Sequence, residues 1–222
     1  MTIRFVVFDL DGTLIDSAPD LRAAANTVLA EAGRPPLDLP TIRRFVGDGV
    51  RKLIERAFAT TGPALTAAEL DRATARYTAL YEAAATVLTR PYEGVIETLQ
   101  RLRASDLKLA VCTNKPAQAA GIVLAELGLA PLFDAVSGGD SVARRKPDPA
   151  HVLDALERIG GSPRAAAMVG DNEHDIAAGK AAGLFTIAVT YGYARVPYPE
   201  LGADRLIDRF DELAALLAGG GA

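Results

Sequence analysis

The chain opens with an uninterrupted apolar run that ends at two carboxylates. Residues 5–8 are Phe-Val-Val-Phe, and Asp9 and Asp11 follow closely. Consecutive β-branched and aromatic residues are typical of a strand buried on both faces, as in the interior of a parallel sheet. Because side chains alternate along an extended backbone, we expect Asp9 and Asp11 to point the same way from the end of this strand.

The next part of the chain, residues 15–89, has its apolar positions at helical spacing. A first helix is predicted to begin near Ser17 or Asp20, either of which could cap it. Residues 66–69 are Thr-Ala-Ala-Glu, a capping-box pattern that opens a long helix. No strand is predicted from residue 39 to the end of this part. It therefore looks like a separate helical unit inserted after the first strand.

Strand and helix patterns alternate through the rest of the chain. Strands are predicted at residues 107–113, 133–136, 165–170, 185–189 and 205–207. Strands separated by helices imply right-handed crossovers and a parallel sheet covered on both faces. The predicted fold is a doubly wound, Rossmann-like α/β core (residues 1–14 and 90–222) with an inserted all-helical cap domain (residues 15–89).

Composition narrows the possible partners and locations. The net charge is -4 and no basic run occurs, so nucleic acid is not an expected partner. No apolar segment approaches the about 20 residues of a membrane helix, and the N-terminus lacks the layout of a signal peptide. The single cysteine, Cys112, fits a reducing compartment and is expected to be a buried apolar residue. We therefore expect a cytoplasmic protein, a monomer or homodimer, with no membrane partner.

Polar groups of complementary types follow four predicted strands. They are Asp9 and Asp11 after the first, Thr113 and Asn114 after the second, Lys146 in the loop after the third, and Asp171, Asn172 and Asp175 after the fourth. The carboxyl ends of parallel strands share one edge of a sheet, where ligands bind. Each group alone has a plainer explanation, such as a helix cap, a turn or a solvated lysine. The two histidines, His151 and His174, are expected at the surface or at caps rather than on a metal.

Together these groups fit phosphoryl transfer. Asp9 is a candidate nucleophile, because carboxylates can form aspartyl-phosphate intermediates, and Asp11 is a candidate general acid and base. Thr113 with the following backbone N–H could hold phosphoryl oxygens, and Lys146 could offset their charge. Asp171, together with Asp9 and the main-chain carbonyl of Asp11, would bind Mg2+. A separate supporting role, orienting Lys146 or a metal-bound water, is expected for Asp175, with Asn172 beside it.

The same residues resemble the motifs of the haloacid dehalogenase-like hydrolases. The segment Asp9-Leu10-Asp11-Gly12-Thr13 matches the DxDGT signature of that family. The other matching positions are Thr113, Lys146-Pro147-Asp148, and Gly170-Asp171 with Asp175. The resemblance implies a nucleophile at Asp9, an acid/base at Asp11 and a required Mg2+. Dehalogenases of the family lack an acid where Asp11 stands, so the resemblance implies hydrolysis of a phosphate monoester.

A second, more local resemblance lies in the predicted cap. Residues 45–58 are similar to the cap segment of the 2-phosphoglycolate phosphatases of this family. The resemblance implies a small anionic substrate, 2-phosphoglycolate, which would be hydrolysed to glycolate and phosphate. The loop Gly47-Asp48-Gly49 would approach that substrate. Arg51 or Lys52 could meet its carboxylate or, equally well, lie on an exposed helix face.

Other functions remain open from the sequence alone. The protein could be a phosphatase of another small metabolite, such as a sugar phosphate or pyrophosphate. It could be a phosphomutase of the same superfamily, which would interconvert isomers without net release of phosphate. A non-catalytic phospho-acceptor module similar to receiver domains also combines acids, Thr and Lys on a doubly wound sheet, but such modules carry no helical insertion.

Overall fold

The computed structural model describes residues 2–218, so residue 1 and residues 219–222 of the predicted core lie outside the described part. The strands are β1 (Phe5–Phe8), β2 (Ile15–Asp16), β3 (Arg90–Pro91), β4 (Lys108–Cys112), β5 (Ala135–Ser137), β6 (Ala166–Gly170), β7 (Phe185–Val189) and β8 (Arg205–Ile207). The α-helices are α1 (Ala18–Glu31), α2 (Leu39–Phe45), α3 (Val50–Thr61), α4 (Ala67–Glu82), α5 (Val95–Ala104), α6 (Ala117–Glu126), α7 (Pro149–Arg158), α8 (Glu173–Ala181) and α9 (Glu212–Ala218).

Six of the strands form one parallel sheet in the order β5-β4-β1-β6-β7-β8. The first strand is central, with Phe8 opposite Val111 of β4 and Val169 of β6. Val6, Val7 and Phe8 are all fully buried, as the uninterrupted apolar run predicts for an interior strand. The doubly wound α/β fold predicted from the sequence is confirmed.

Helices cover both faces of this sheet. One face belongs to a large apolar cluster that continues into α1, α3 and α4. The other face, which includes Val7, Cys112 and Met168, packs against α7 and α8 in a second cluster. Cys112 is buried, as expected for a small apolar residue. The two clusters fix the strands in place, and so they also fix the loops at their carboxyl ends.

The helices α1 to α4 are inserted between two very short strands. In this antiparallel pair, Ile15 of β2 lies opposite Pro91 of β3 and Asp16 lies opposite Arg90. The chain thus leaves and re-enters the α/β part at one place. The pair was not predicted, because two residues are too few to show any periodicity. The division into a core and a cap domain with a boundary near residue 89 stays a prediction.

Only some of the predicted capping residues cap the inserted helices. Thr66 and Glu69 form the predicted capping box at the start of α4. At α1, Ser17 occupies the cap position without a side-chain hydrogen bond. Asp20 does not cap α1 either, since its carboxylate accepts hydrogen bonds from Leu88 N and from the N–H and hydroxyl of Thr89. Asp20 therefore ties α1 to the segment that returns to the sheet.

Among residues 2–218, no helix combines the length and hydrophobicity that crossing a bilayer requires.

Candidate active site

The carboxyl ends of the three central strands bring the predicted groups to one cavity. Asp9 follows β1, Thr113 follows β4 and Asp171 follows β6. The cavity lies between this sheet edge and the inserted helices, and it has about 510 Å3 of empty space, part of it open to solvent. The predicted site residues that line it are Asp9, Asp11, Gly47, Gly49, Thr113, Asn114, Lys146, Asn172 and Asp175. Asp171, Asp48 and Arg51 are not among the lining residues.

Lys146 lies at the centre of the charged groups. Its ammonium donates to Asp9 Oδ1 at 2.8 Å, to Asp175 Oδ1 at 2.6 Å and to the carbonyl of Cys112 at 2.6 Å. These contacts use all three of its N–H donors. Burial alone would lower the pKa of Lys146, but the carboxylates of Asp175 and Asp9 outweigh burial and raise it above its usual value. Lys146 is therefore a buried, permanently charged cation that fixes the side chain of Asp9.

Three buried carboxylates, two of which contact Lys146, form a cluster of the size that holds a metal ion. One oxygen from each of Asp9, Asp171 and Asp175 lies within 4.8 Å of the others. Burial and the charge of Asp175 raise the pKa of Asp9 to about 7, and the same causes raise that of Asp171 well above its usual value. Both shifts mean that the acids lack enough positive charge nearby. Hard oxygen donors with a charge deficit fit a divalent cation such as Mg2+.

Asp171 is held rigidly from several sides. Thr13 Oγ1 donates to Asp171 Oδ1 at 3.1 Å, and the Tyr193 N–H donates to Oδ2 at 2.6 Å. Gly12 has a φ of +95°, and a Cβ there would lie 2.4 Å from Asp171 Oδ2. The glycine of the DxDGT segment is therefore required both by its backbone conformation and by the close approach of Asp171.

Asp175 supports both Asp171 and Lys146. While its Oδ1 accepts from Lys146, its Oδ2 accepts from the N–H groups of Asp171 and Asn172, each at 3.2 Å. Asn172 caps α8 by accepting from His174 N–H at 2.9 Å. The contact between Asp175 and Lys146 is the one expected if Asp175 orients the lysine. The cluster of carboxylate oxygens also contains Asp175, so Asp175 is a further candidate ligand, while the role of the Asp11 carbonyl stays a prediction.

The carboxylate of Asp11 is paired with Lys115, a residue outside the predicted site. Lys115 Nζ lies 3.0 Å from Asp11 Oδ1 and 2.9 Å from Oδ2, and both residues are buried. The ammonium also lies 4.5 Å from the centre of the Tyr81 ring, a cation–π contact. Lys115 follows the same strand end as Thr113 and Asn114, and this position is the only signal of its role that the sequence offers.

Thr113 and Asn114 organise the loops around the site. Thr113 Oγ1 accepts from Lys115 N–H at 3.1 Å and does not cap α6, whose first N–H, that of Ala117, donates to Asp140 instead. Asn114 donates to the carbonyl of Gly47 at 2.7 Å and to that of Lys146 at 2.9 Å. Its side chain thus joins the inserted helical part to the loop that carries Lys146.

The loop Gly47-Asp48-Gly49 closes over the cavity. Asp48 accepts from Arg56 and Arg195, each at 2.5 Å, and lies 2.6 Å from His174 Nε2. These two arginines hold the pKa of Asp48 below its usual range despite partial burial. Gly49 has a φ of +82°, and a Cβ there would lie 2.6 Å from Arg145.

Of the two placements left open for Arg51, the structure shows the exposed one, and His151 does not lie where the sequence suggests. Arg51 forms an ion pair with Asp71 on the outer surface, where both side chains are more than half exposed. His151 is fully buried, so its expected place at the surface or at a cap is wrong. Its Nδ1 lies 3.3 Å from Lys146 N and its Nε2 lies 3.2 Å from the carbonyl of Ser137. His151 therefore holds the backbone of the Lys146 loop.

Comparison with known proteins agrees with the motifs and with the fold. The sequence pattern of the haloacid dehalogenase-like hydrolases matches residues 3–183. A phosphoglycolate phosphatase of Agrobacterium fabrum is 42% identical over 211 residues, which are 95% of this chain and 91% of the relative. A phosphoglycolate phosphatase of Cereibacter sphaeroides (strain ATCC 17029 / ATH 2.4.9) is 43% identical over 212 residues, 96% of each protein.

The crystal structure of a "predicted phosphoglycolate phosphatase" from Haemophilus somnus superimposes with a TM-score of 0.93 at 30% identity, covering 97% of this chain and 98% of that one. Motifs, fold and relatives agree over nearly the whole length of the chain. This protein therefore belongs to the haloacid dehalogenase-like hydrolases.

Proposed function

We propose that this protein is a Mg2+-dependent phosphatase that hydrolyses 2-phosphoglycolate to glycolate and phosphate. Membership of the family supports phosphate-ester hydrolysis, and the names of the relatives support this substrate. The observation that carries the proposal is the arrangement around Asp9. Its carboxylate is fixed by Lys146, lies within the three-carboxylate cluster and lines the cavity between the sheet edge and the inserted helices.

The residues present allow a two-step reaction at phosphorus. Asp9 Oδ attacks the phosphorus atom, the bond to the glycolate oxygen breaks, and Asp11 gives that oxygen a proton. In the second step Asp11 takes a proton from water, which attacks the phosphorus and releases phosphate from Asp9. In the structure both oxygens of Asp11 contact Lys115, so Asp11 must leave Lys115 to reach the departing oxygen.

The other groups bind and orient the phosphoryl group. Lys146 and Thr113 lie at the cavity wall, where the charge of the ammonium would offset that of the phosphoryl group and the hydroxyl suits a phosphoryl oxygen. Asp9, Asp171 and Asp175 would hold Mg2+, with the Asp11 carbonyl as a further proposed ligand. Bound there, Mg2+ supplies neutralisation of the charge on the phosphate and on the acids. Asn172 supports this set through its cap on α8.

The inserted helices are proposed to act as the cap domain over this site. Gly47 and Gly49 line the cavity, and Leu21, Val46 and Leu53 add apolar walls. Such a wall excludes bulk water from the phosphoryl group and limits the size of the ester. Arg51 is not part of this proposal because its side chain lies on the outer surface.

A cytoplasmic location, as a monomer or homodimer, is also part of the proposal. The single buried cysteine suits a reducing compartment.

A panel of phosphate monoesters tests the proposed function. Purified protein is expected to release phosphate from 2-phosphoglycolate in the presence of Mg2+, with lower rates for sugar phosphates and pyrophosphate. EDTA should abolish the release, and excess Mg2+ should restore it. Phosphate release from no ester, or release that EDTA does not change, would reject the proposal. Interconversion of sugar-phosphate isomers without net release would support a phosphomutase instead.

A further inference from the structure

We infer that Lys115 and Tyr77 bind the second anionic group of the substrate and so select a phosphate ester that carries a carboxylate. The inference rests on the proposed function and adds to it the residues that determine specificity. The sequence had suggested a cap residue, Arg51 or Lys52, for this role. In the structure Arg51 pairs with Asp71 and Lys52 with Glu55 at the surface, so another cation is needed.

The cations that line the cavity differ in how firmly their partners hold them. Lys146 donates to three acceptors and has no donor left. His174 lies against Asp48 and Arg195. Within residues 2–218, the ammonium of Lys115 has a single carboxylate partner, Asp11, and otherwise faces the Tyr81 ring. Among these cavity cations, Lys115 is thus the one whose partner a ligand can replace.

Tyr77 offers a second donor in the same cavity. Its side chain lines the cavity and is fully buried, and its hydroxyl has no hydrogen-bond partner within the described part of the chain. Burial and the nearby Tyr81 and Asp11 raise the pKa of Tyr77 well above its usual value, so the hydroxyl keeps its proton. A buried hydroxyl without an acceptor is unfavourable, and a carboxylate oxygen is a strong acceptor.

If the substrate carboxylate replaced Asp11 as the partner of Lys115, substrate binding would be coupled to catalysis. In the structure both carboxylate oxygens of Asp11 accept hydrogen bonds from the Lys115 ammonium, at 3.0 and 2.9 Å. A substrate carboxylate that takes this place would free Asp11 to reach the departing oxygen. An ester without a second anion would leave Asp11 on Lys115 and would be hydrolysed slowly.

The inference is tested with two isosteric substrates, 2-phosphoglycolate and phosphoglycolamide, which differ in whether the end opposite the phosphate is charged. We measure kcat/KM for each with Mg2+ in the wild type and in Lys115→Met, Lys115→Arg and Tyr77→Phe. Lys108→Met is the matched control, because Lys108 pairs with Asp134 at the opposite end of β4, at the surface. Thermal unfolding shows whether each variant is folded.

The wild type is expected to prefer 2-phosphoglycolate by about 10- to 100-fold, as for loss of a charged hydrogen bond. Lys115→Met should bring this ratio close to one, mainly by raising KM for 2-phosphoglycolate, whereas Lys115→Arg should retain most of it. Tyr77→Phe keeps the ring, and should lower the ratio by about 3- to 10-fold as expected for one hydrogen bond. Lys108→Met should keep the wild-type ratio.

Several outcomes would overturn the inference without touching the proposed function. One is equal wild-type activity on both substrates. Another is an equal loss on both in Lys115→Met, which would mean that Lys115 acts only on Asp11. A third is a loss of preference in Arg51→Gln but not in Lys115→Met or Tyr77→Phe. A wild type that hydrolyses neither ester would instead reject the proposed function, and the inference with it.

Discussion

At the scale of single residues, the buried carboxylates of the site repel one another, an arrangement that fits the cation and phosphate binding proposed above better than a role in stability. Asp9, Asp171 and Asp175 form one buried cluster, and the pKa of Asp9 rises to about 7 through burial and the charge of Asp175. Such repulsion is characteristic of functional sites, because the missing positive charge arrives with the ligand.

Replacing Asp9 should therefore separate stability from activity. In EDTA at pH 8, Asp9→Asn is expected to raise the free energy of unfolding by about 1 kcal/mol, because it removes one buried repelling charge. The same variant should lose at least about 1000-fold in kcat, since the amide is not a nucleophile. Chemical denaturation and steady-state kinetics measure the two effects. Asp71→Asn, at the surface, is the control, and a less stable Asp9→Asn would contradict this view of the site.

The sequence identifies most residues of this site but not which of them contact one another. Asp9, Asp171 and Lys146 follow strand ends, and their types and order point to phosphoryl transfer. Lys115 escapes notice because a single lysine after a strand resembles any surface lysine. Its burial depends on Tyr81 and Asp11, which are distant in sequence and meet only in the fold.

At the scale of elements, the site lies at the carboxyl ends of the sheet strands. Buried polar side chains hold the loops that follow these strands. The interior strands were predictable because β1, β6 and the part of β4 after Lys108 are uninterrupted apolar runs. The pair of β2 and β3 was not, because each strand has only two residues and its pairing is long-range. The burial of His151 was not predicted because its polar partners, the Lys146 N–H and the Ser137 carbonyl, are backbone groups, whose positions depend on how the loop folds.

His151 should make the Lys146 loop sensitive to acid. Burial, together with the charge of Lys146, lowers the pKa of His151 to about 4 from the 6.5 of an exposed histidine. Below pH 6.5 the unfolded chain therefore takes up a proton that the folded protein does not, and stability falls as the pH falls towards 4. The loss is expected to be about 2 to 3 kcal/mol, and His151→Asn should remove it.

Denaturation of both proteins between pH 4 and pH 7 measures the difference. Carboxyl groups common to both proteins cancel when the two curves are subtracted. Parallel stability curves for wild type and His151→Asn would show that His151 is not held neutral by the fold.

At the scale of the whole molecule, the inserted helices are fastened to the sheet by a few polar contacts above the cavity. Asp48 of the cap loop meets Arg195, which is 147 positions away in sequence, and His174 at the start of α8. Asn114 adds a hydrogen bond to the Gly47 carbonyl. Local sequence patterns do not reveal contacts between such distant residues. The sequence therefore predicts that a cap exists but not which contacts hold it over the cavity.

Loss of the Asp48 contacts should loosen the cap without stopping the chemistry. Asp48→Asn is expected to raise KM for 2-phosphoglycolate by about 3- to 10-fold, the effect of weakening a partly exposed ion-pair network. Amide hydrogen exchange at residues 45–50 should become faster. Asp71→Asn removes a surface ion pair of the same inserted part and is the matched control. Unchanged KM and unchanged exchange in Asp48→Asn would show that these contacts do not hold the cap.

The central claim is that Asp9 carries the phosphoryl group during the reaction, and trapping that species tests it most directly. Enzyme mixed with radiolabelled 2-phosphoglycolate and Mg2+ is quenched in acid within milliseconds, and the labelled peptide is identified by mass spectrometry. We expect label on the peptide that contains Asp9, released by hydroxylamine as an acyl phosphate is, and absent from Asp9→Asn. Label on a different residue, or rapid turnover by Asp9→Asn, would contradict the claim.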